Sequence, residues 1–275
     1  MRPQSGRSPG GAGAPLGGQG PAARAGPLRD EVGWLSGGLP SDRWGRVEAA
    51  LSGLADVYER ANAAMSLGIA GRLRSRLVAD LLPRPGEAAL DAGCGPGQSS
   101  ELLARAISPG GTLILMDPLA EMLVAARERA SRAGRDLAVL TVKAKFEDIP
   151  LADESVDLAL VSYSLRDAVD RREALAELRR VLKVGGRLGI LDLTRPDGRA
   201  VDALARAYVR WVAPAVAGLA TLRLDISPWR EIYPTYETMW TSSELVREVK
   251  RIFEVRRAFR SALGVFTGVV AERLR

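Results

Sequence analysis

Between Glu87 and Leu193 the chain alternates short, continuous apolar runs with longer stretches whose apolar residues recur every three or four positions. The runs EAALDAG (87–93), GTLILMD (111–117), DLAVLTV (136–142), SVDLALVSYS (155–164) and RLGILDL (187–193) predict strands. QSSELLARAI (98–107), LAEMLVAARERASRAG (119–134) and RREALAELRRVLKVGG (171–186) predict helices, the last ending in its own glycine breaker. Strands this apolar need cover on both faces, and the intervening helices imply parallel pairing. The expected fold class is therefore α/β, a doubly wound and mostly parallel sheet over about residues 70–275. Residues 43–68 read as helical and predict a cap over one end of the sheet, within a unit spanning 31–69. Residues 200–240 predict a helical insertion.

The first stretch, MRPQSGRSPGGAGAPLGGQGPAARAGP, holds almost nothing large enough to bury, so residues 1–30 are expected to be a disordered extension. It has no apolar core of the kind a signal peptide carries. No later segment offers the roughly 20 uncharged apolar residues of a membrane helix. WVAPAVAGLATL, from Trp211, is short and lies between Arg210 and Arg223.

At 275 residues, 47% hydrophobic and 26% charged, the chain can bury a real core. The net charge of +6 is scattered and does not mark a nucleic-acid-binding face. Cys94 is the one cysteine, which excludes an intramolecular disulfide and cysteine-based zinc clusters; a reducing, cytoplasmic setting is expected. Histidine is absent, so any chemistry proceeds without imidazole, and no metal site is expected.

LDAGCGPG (90–97) falls where the first strand gives way to the first helix, facing the ligand crevice of a doubly wound sheet. Gly93, Gly95 and Gly97 allow a sharp turn and close approach of a ligand. The spacing G-x-G-x-G, with Asp91 two residues earlier, differs from the diphosphate-binding G-x-G-x-x-G. It suits a zwitterionic ligand whose ammonium Asp91 could reach. Asp117 ends the second strand, where a carboxylate can accept from both hydroxyls of a ribose. A nucleoside with an amino-acid tail satisfies both acids, and S-adenosylmethionine is such a ligand.

At these residues the chain resembles the class I methyltransferases, and within them the ubiquinone/menaquinone biosynthesis C-methyltransferase family, across about 58–197. The resemblance is carried by YERANAAMSLGI (58–69), LDAGCGPG (90–97), LMDPLAEML (115–123), AKFEDIPLADESVD (144–157), SYSLRDAVD (162–170) and ALAELRRVLKVGGRLGILDLTRPDG (174–198). The glycine loop and VLKVGGRL mark class I methyltransferases generally. SLRD and YERANAAMSLGI are the selective segments, resembling the family's G-L-R-N and Y-D-x-M-N-D-x-M-S-x-G-I. The resemblance implies a seven-stranded Rossmann-like sheet and methyl transfer from S-adenosylmethionine to a ring carbon of a polyprenylated quinol precursor.

It further implies that Gly93, Gly95, Pro96 and Gly97 wrap the methionine moiety, that Asp117 holds the ribose, and that Met122 or Leu123 packs on adenine. Phe146 would meet the adenine edge through its backbone, and Ser162 would line the methyl position. Lys145 stands where the family places Asp or Asn; a lysine donates and cannot accept from the adenine amino group. That contact then falls to Glu147 or Asp148, or Lys145 turns to solvent. For catalysis the resemblance points to Arg166, as stabiliser of a phenolate, with Asp167 as proton acceptor and Tyr58 beside them. Asn62, Met65 and Ser66 would touch the acceptor. Arg166 could equally form an ion pair with Asp167, Asp170 or a cap carboxylate. The tryptophans of 200–240 suit a prenyl groove, a lid or a homodimer contact. The basic segment REVKRIFEVRRAFRSALG (247–264) fits a strand with solvated arginines or a peripheral contact with anionic lipid. Two alternatives remain: O- or N-methylation of another small molecule or lipid, and a binding protein without catalysis.

Overall fold

The computed structural model describes residues 55–222, 226–230 and 232–275. The expected extension 1–30, cap residues 31–54 and the side chain of Tyr58 lie outside them. Helices α1 (Ala55–Met65) and α2 (Ile69–Leu81) precede β1 (Ala88–Ala92), α3 (Gln98–Ile107), β2 (Thr112–Met116), α4 (Ala120–Ala133) and β3 (Ala138–Val142). Next come β4 (Val156–Ser162), a 3-10 turn at Leu165–Asp167, α5 (Arg171–Val181) and β5 (Leu182–Leu193). After β5 lie α6 (Arg199–Ala207), a π-helical turn (Tyr208–Val212), α7 (Ala213–Thr221), α8 (Ser227–Arg230) and α9 (Ile232–Thr238). The chain closes with α10 (Ser242–Lys250), β6 (Glu254–Ser261) and β7 (Phe266–Glu272).

The strands form one sheet in the order β3-β2-β1-β4-β5-β7-β6. β1 to β5 pair in parallel, while β7 pairs antiparallel with both β5 and β6. The expected doubly wound, mostly parallel, seven-stranded sheet is what the structure has. Alternation along each strand builds two cores. Leu113, Leu115, Leu158 and Leu160 face α2, α3 and α4 through Leu77, Leu81, Leu103 and Ile107. Ile114, Met116, Ala159 and Val161 face α5 and α10 through Leu175, Leu178, Leu245 and Val249. Each fully buried leucine contributes roughly 1.5–3 kcal/mol of transfer free energy, which is why such strands cannot sit at a solvated face.

Asp170 starts α5 by accepting from the N–H groups of Arg172 (2.9 Å) and Glu173 (3.0 Å). Thr241 and Glu244 form a reciprocal capping box at α10. The basic segment 247–264 divides mainly between α10 and the edge strand β6. Its arginines are engaged: Arg256 with Glu272 at 3.0 Å, Arg260 with Asp197 at 3.5 Å, and Arg257 with Asp80. It is therefore an ion-paired edge and not a free cationic patch. No helix among the described residues is long and apolar enough to cross a membrane.

Candidate active site

Strand order reverses between β1, flanked by β2, and β4, and a crevice opens there at the carboxyl ends of the strands. Its walls surround about 910 Å³ of space that is continuous with solvent. The glycine loop forms its floor. The N–H groups of Gly93 and Cys94 donate to the Met116 carbonyl at 2.8 and 3.0 Å, binding the loop to the end of β2. Gly97 has φ +90, and a Cβ there would lie 2.6 Å from the Ala126 Cα, so glycine is required for α3 to approach α4. Gly95 has φ +52, yet a Cβ would meet nothing within 4 Å, because it faces the open crevice.

Asp117 stands at the crevice wall with Oδ2 accepting from Gly95 N–H (2.9 Å) and Oδ1 from Leu119 N–H (3.0 Å). Each oxygen retains a lone pair for a ligand hydroxyl. Burial raises its pKa, opposed by the two backbone donors. Pro96, Met122, Lys145, Phe146 and Ser162 also line the crevice, and Met122 is buried while Lys145 is exposed at the rim. Of the two adenine-face candidates, Leu123 sits instead in the core with Leu103 and Ala126. Glu147 lines the wall, but Oε1 already accepts from the N–H groups of Val169 (2.7 Å) and Asp170 (3.0 Å).

A sequence model of the ubiE/COQ5 methyltransferase family matches residues 41–229. The chain belongs to that family. It is 32% identical over 172 residues to a 2-phytyl-1,4-naphtoquinone methyltransferase of Synechococcus elongatus, covering 62% of this chain and 74% of that one. To a ubiquinone/menaquinone biosynthesis C-methyltransferase of Xanthomonas campestris it is 33% identical over 153 residues, 56% and 60% of the two chains. The fold is shared with a SAM-dependent methyltransferase from Aquifex aeolicus (TM-score 0.53, 20% identity, 73% of this chain and 89% of the other). It is shared likewise with a geranyl diphosphate C-methyltransferase from Streptomyces coelicolor (TM-score 0.54, 16% identity, 74% and 79%).

S-adenosylmethionine, on which this family's enzymes depend, fits the donor set. The open space above Gly95 accommodates a ligand, and Asp117 offers paired acceptors. Asp91 departs from its expected place. It is wholly buried and off the crevice wall, because in β1 its neighbours Leu90 and Ala92 face one layer and Asp91 the other, beneath α3. There Oδ2 accepts from Ser100 Oγ at 2.6 Å, while Oδ1 has no partner, and burial pushes its pKa up to about 7. Asp91 thus bonds the first turn of α3 and is not among the residues lining the crevice.

Asn62, Arg74, Tyr163, Ser164 and Asp167 also line the crevice, and Ser164 stands against the glycine loop, its Oγ donating to the Ala92 carbonyl at 3.1 Å. Sequence analysis missed Arg74, whose Nε donates to Ser162 Oγ at 3.3 Å and whose guanidinium lies 5.2 Å over the Tyr163 ring. The signal was present: Ala70, Arg74, Leu77 and Leu81 follow helical spacing, with a cation where the buried stripe of α2 calls for an apolar residue. Tyr163 has φ +61, unusual for a bulky residue, and its hydroxyl donates to the Ala70 carbonyl at 3.2 Å.

Arg166 is corrected. It is absent from the crevice wall; Nη1 pairs with Asp192 at 3.1 Å and donates to the Tyr163 carbonyl, and Nε lies 3.7 Å from Asp167. A 3-10 turn has three residues per turn, so consecutive side chains diverge by about 120°, and Asp167 faces the crevice while Arg166 turns inward. Burial pushes the Asp167 pKa up to about 6, against the attraction of Arg166. Asp192 also accepts the Arg166 N–H at 2.9 Å, and buried Arg171 donates to the Arg166 carbonyl at 2.8 Å. The turn is thus held by two residues that sequence analysis did not single out. Met65 and Ser66, expected to touch the acceptor, are not among the residues lining the crevice. Met65 packs against Val57, Ala61, Ala217 and Trp229, and Ser66 Oγ donates to the Asn62 carbonyl at 2.7 Å.

Proposed function

We propose that this methyltransferase C-methylates a polyprenylated quinol precursor, with Asp167 as the proton acceptor. Asp167 carries the reading: it is a carboxylate on the crevice wall, its pKa is raised to about 6, and histidine is absent from the chain. S-adenosylmethionine, bound by the Gly93–Gly97 loop and Asp117, supplies an electrophilic sulfonium methyl and leaves as the thioether. Asp167 would take the phenolic proton of the acceptor, raising electron density on the ring carbon. When the carbon is methylated it loses its own proton and the phenol is restored, so one proton is released per methyl transferred. Asn62 and Ser164 would orient the ring hydroxyl by hydrogen bonds, and Arg74 would neutralise negative charge near Ser162.

The quinone-methylating relatives support this choice of acceptor. The test is incubation with methyl-labelled S-adenosylmethionine and a membrane lipid extract, followed by identification of the labelled product. A labelled prenyl quinone is expected. Label confined to an ether or an amine would replace this reading with O- or N-methylation.

A further inference from the structure

Residues 199–222 run as nearly continuous helix through α6, the π turn and α7. Their inner face is ordinary: Ala205, Val209, Ala213, Ala217 and Thr221 are buried at helical spacing. The outer face is not. Leu204, Trp211, Leu219 and Leu222 are 73%, 66%, 78% and 88% exposed, and Ala200, Ala207 and Ala215 fill the gaps between them. A helix apolar on both sides calls for two apolar neighbours, and the outer face is left uncovered by the described residues.

The charges at the border indicate which neighbour. Asp202 is the one acid in this helix, and it is turned inward, held by Arg195 (3.1 Å), Arg206 (3.0 Å) and Tyr236 (3.1 Å). Arg199 and Arg210 are exposed, and Arg199 sits in the first helical turn, where the helix dipole disfavours a cation. Arg210 lies over the Trp211 ring at 5.0 Å and the Tyr233 ring at 5.3 Å, at the edge of the stripe. Leucines, an edge tryptophan and flanking arginines without outward acids are the make-up of a helix lying in a bilayer interface. Tyr208, between Leu204 and Trp211 in sequence, ties this helix to α1 by donating from Oη to the Met65 carbonyl at 2.6 Å, and Asn62, one turn earlier on α1, lines the crevice.

We propose that the outer face of residues 199–222 docks on an anionic phospholipid surface, placing the Asn62 side of the crevice beside the membrane. The inference stands on the surface itself, so vesicle binding can fail while quinol methylation holds, and the reverse. The full chain is sedimented with phosphatidylcholine vesicles, with and without phosphatidylglycerol. Binding is expected to the anionic vesicles and to weaken with salt. Leu204→Gln with Leu219→Gln should weaken partition by about tenfold or more, with calorimetric affinity for S-adenosylmethionine unchanged as the check on folding. Brominated acyl chains should quench tryptophan fluorescence in the parent, and Trp211→Phe should remove most of that quenching. Parental binding by the double variant, or absence of binding by the parent, overturns the proposal. So does a parent dimer that the double variant converts to monomer without change in vesicle binding, which would assign the stripe to a second copy of the chain.

Discussion

Replacing Asp167 by Asn separates the cost of a buried carboxylate from its use. The ordinary value for this acid is 3.8 and burial raises it to about 6 in the folded protein. Two units at 1.36 kcal/mol each give about 3 kcal/mol by which the folded state disfavours the charged form. The side chain is 18% exposed, which trims this to about 2–3 kcal/mol. The sign follows from linkage. Below about pH 4 the acid is protonated both folded and unfolded and imposes no penalty; as pH rises through about 6 the folded state must ionise it, and the full penalty is present above that. Asparagine stands in for the protonated acid, so Asp167→Asn should gain about 2–3 kcal/mol in urea unfolding near pH 8 and almost nothing near pH 4. Turnover should move the opposite way, falling about 100-fold or more, with loss of the rise in rate through about pH 6. A variant less stable than the parent near pH 8, or equally stabilised at both pH values, would refute the reasoning.

Asp117→Ala removes both crevice acceptors at the end of β2 and should weaken S-adenosylmethionine by at least about tenfold in calorimetry. Gly97→Ala drives a Cβ to 2.6 Å from the Ala126 Cα and should destabilise the fold by more than about 2 kcal/mol in thermal unfolding. Gly95→Ala meets no protein atom, so its main effect should be on cofactor affinity, with a stability cost of about 1–2 kcal/mol from the positive φ. Arg166→Ala leaves Asp192 buried without its paired guanidinium and should cost about 3 kcal/mol in stability, and because Arg166 holds the Asp167 pKa down, the rise in turnover should move to higher pH.

The sheet was legible because period and apolarity are local properties; the exception is LKVGG (182–186), read as the end of the 171–186 helix but lying in β5 (Leu182–Leu193). Asp117 and the glycine loop were legible for the same reason, since a strand end followed by a turn fixes where they face. Side-chain direction within an element was harder to read. Asp91 and Asp117 look equivalent as acids near strand ends, but Asp91 is inside β1, paired with Leu115 and covered by α3, while Asp117 lies just past the end of β2. Arg166 and Asp167 are adjacent in sequence and part company in a 3-10 turn whose handles, Asp192 and Arg171, come from β5 and α5. Arg74 reaches Ser162 across 88 residues, a pairing that no local pattern encodes.

The central claim is transfer of a methyl group to a ring carbon, and the atom that receives it can be observed. The protein is incubated with S-adenosylmethionine carrying a carbon-13 methyl and a defined demethylmenaquinol analogue, and the product is examined by NMR for one-bond coupling between the new methyl and the ring. A carbon–carbon coupling is expected in the parent and almost no product from Asp167→Asn. A methyl resonance lacking that coupling and shifted to the position of an ether would contradict it.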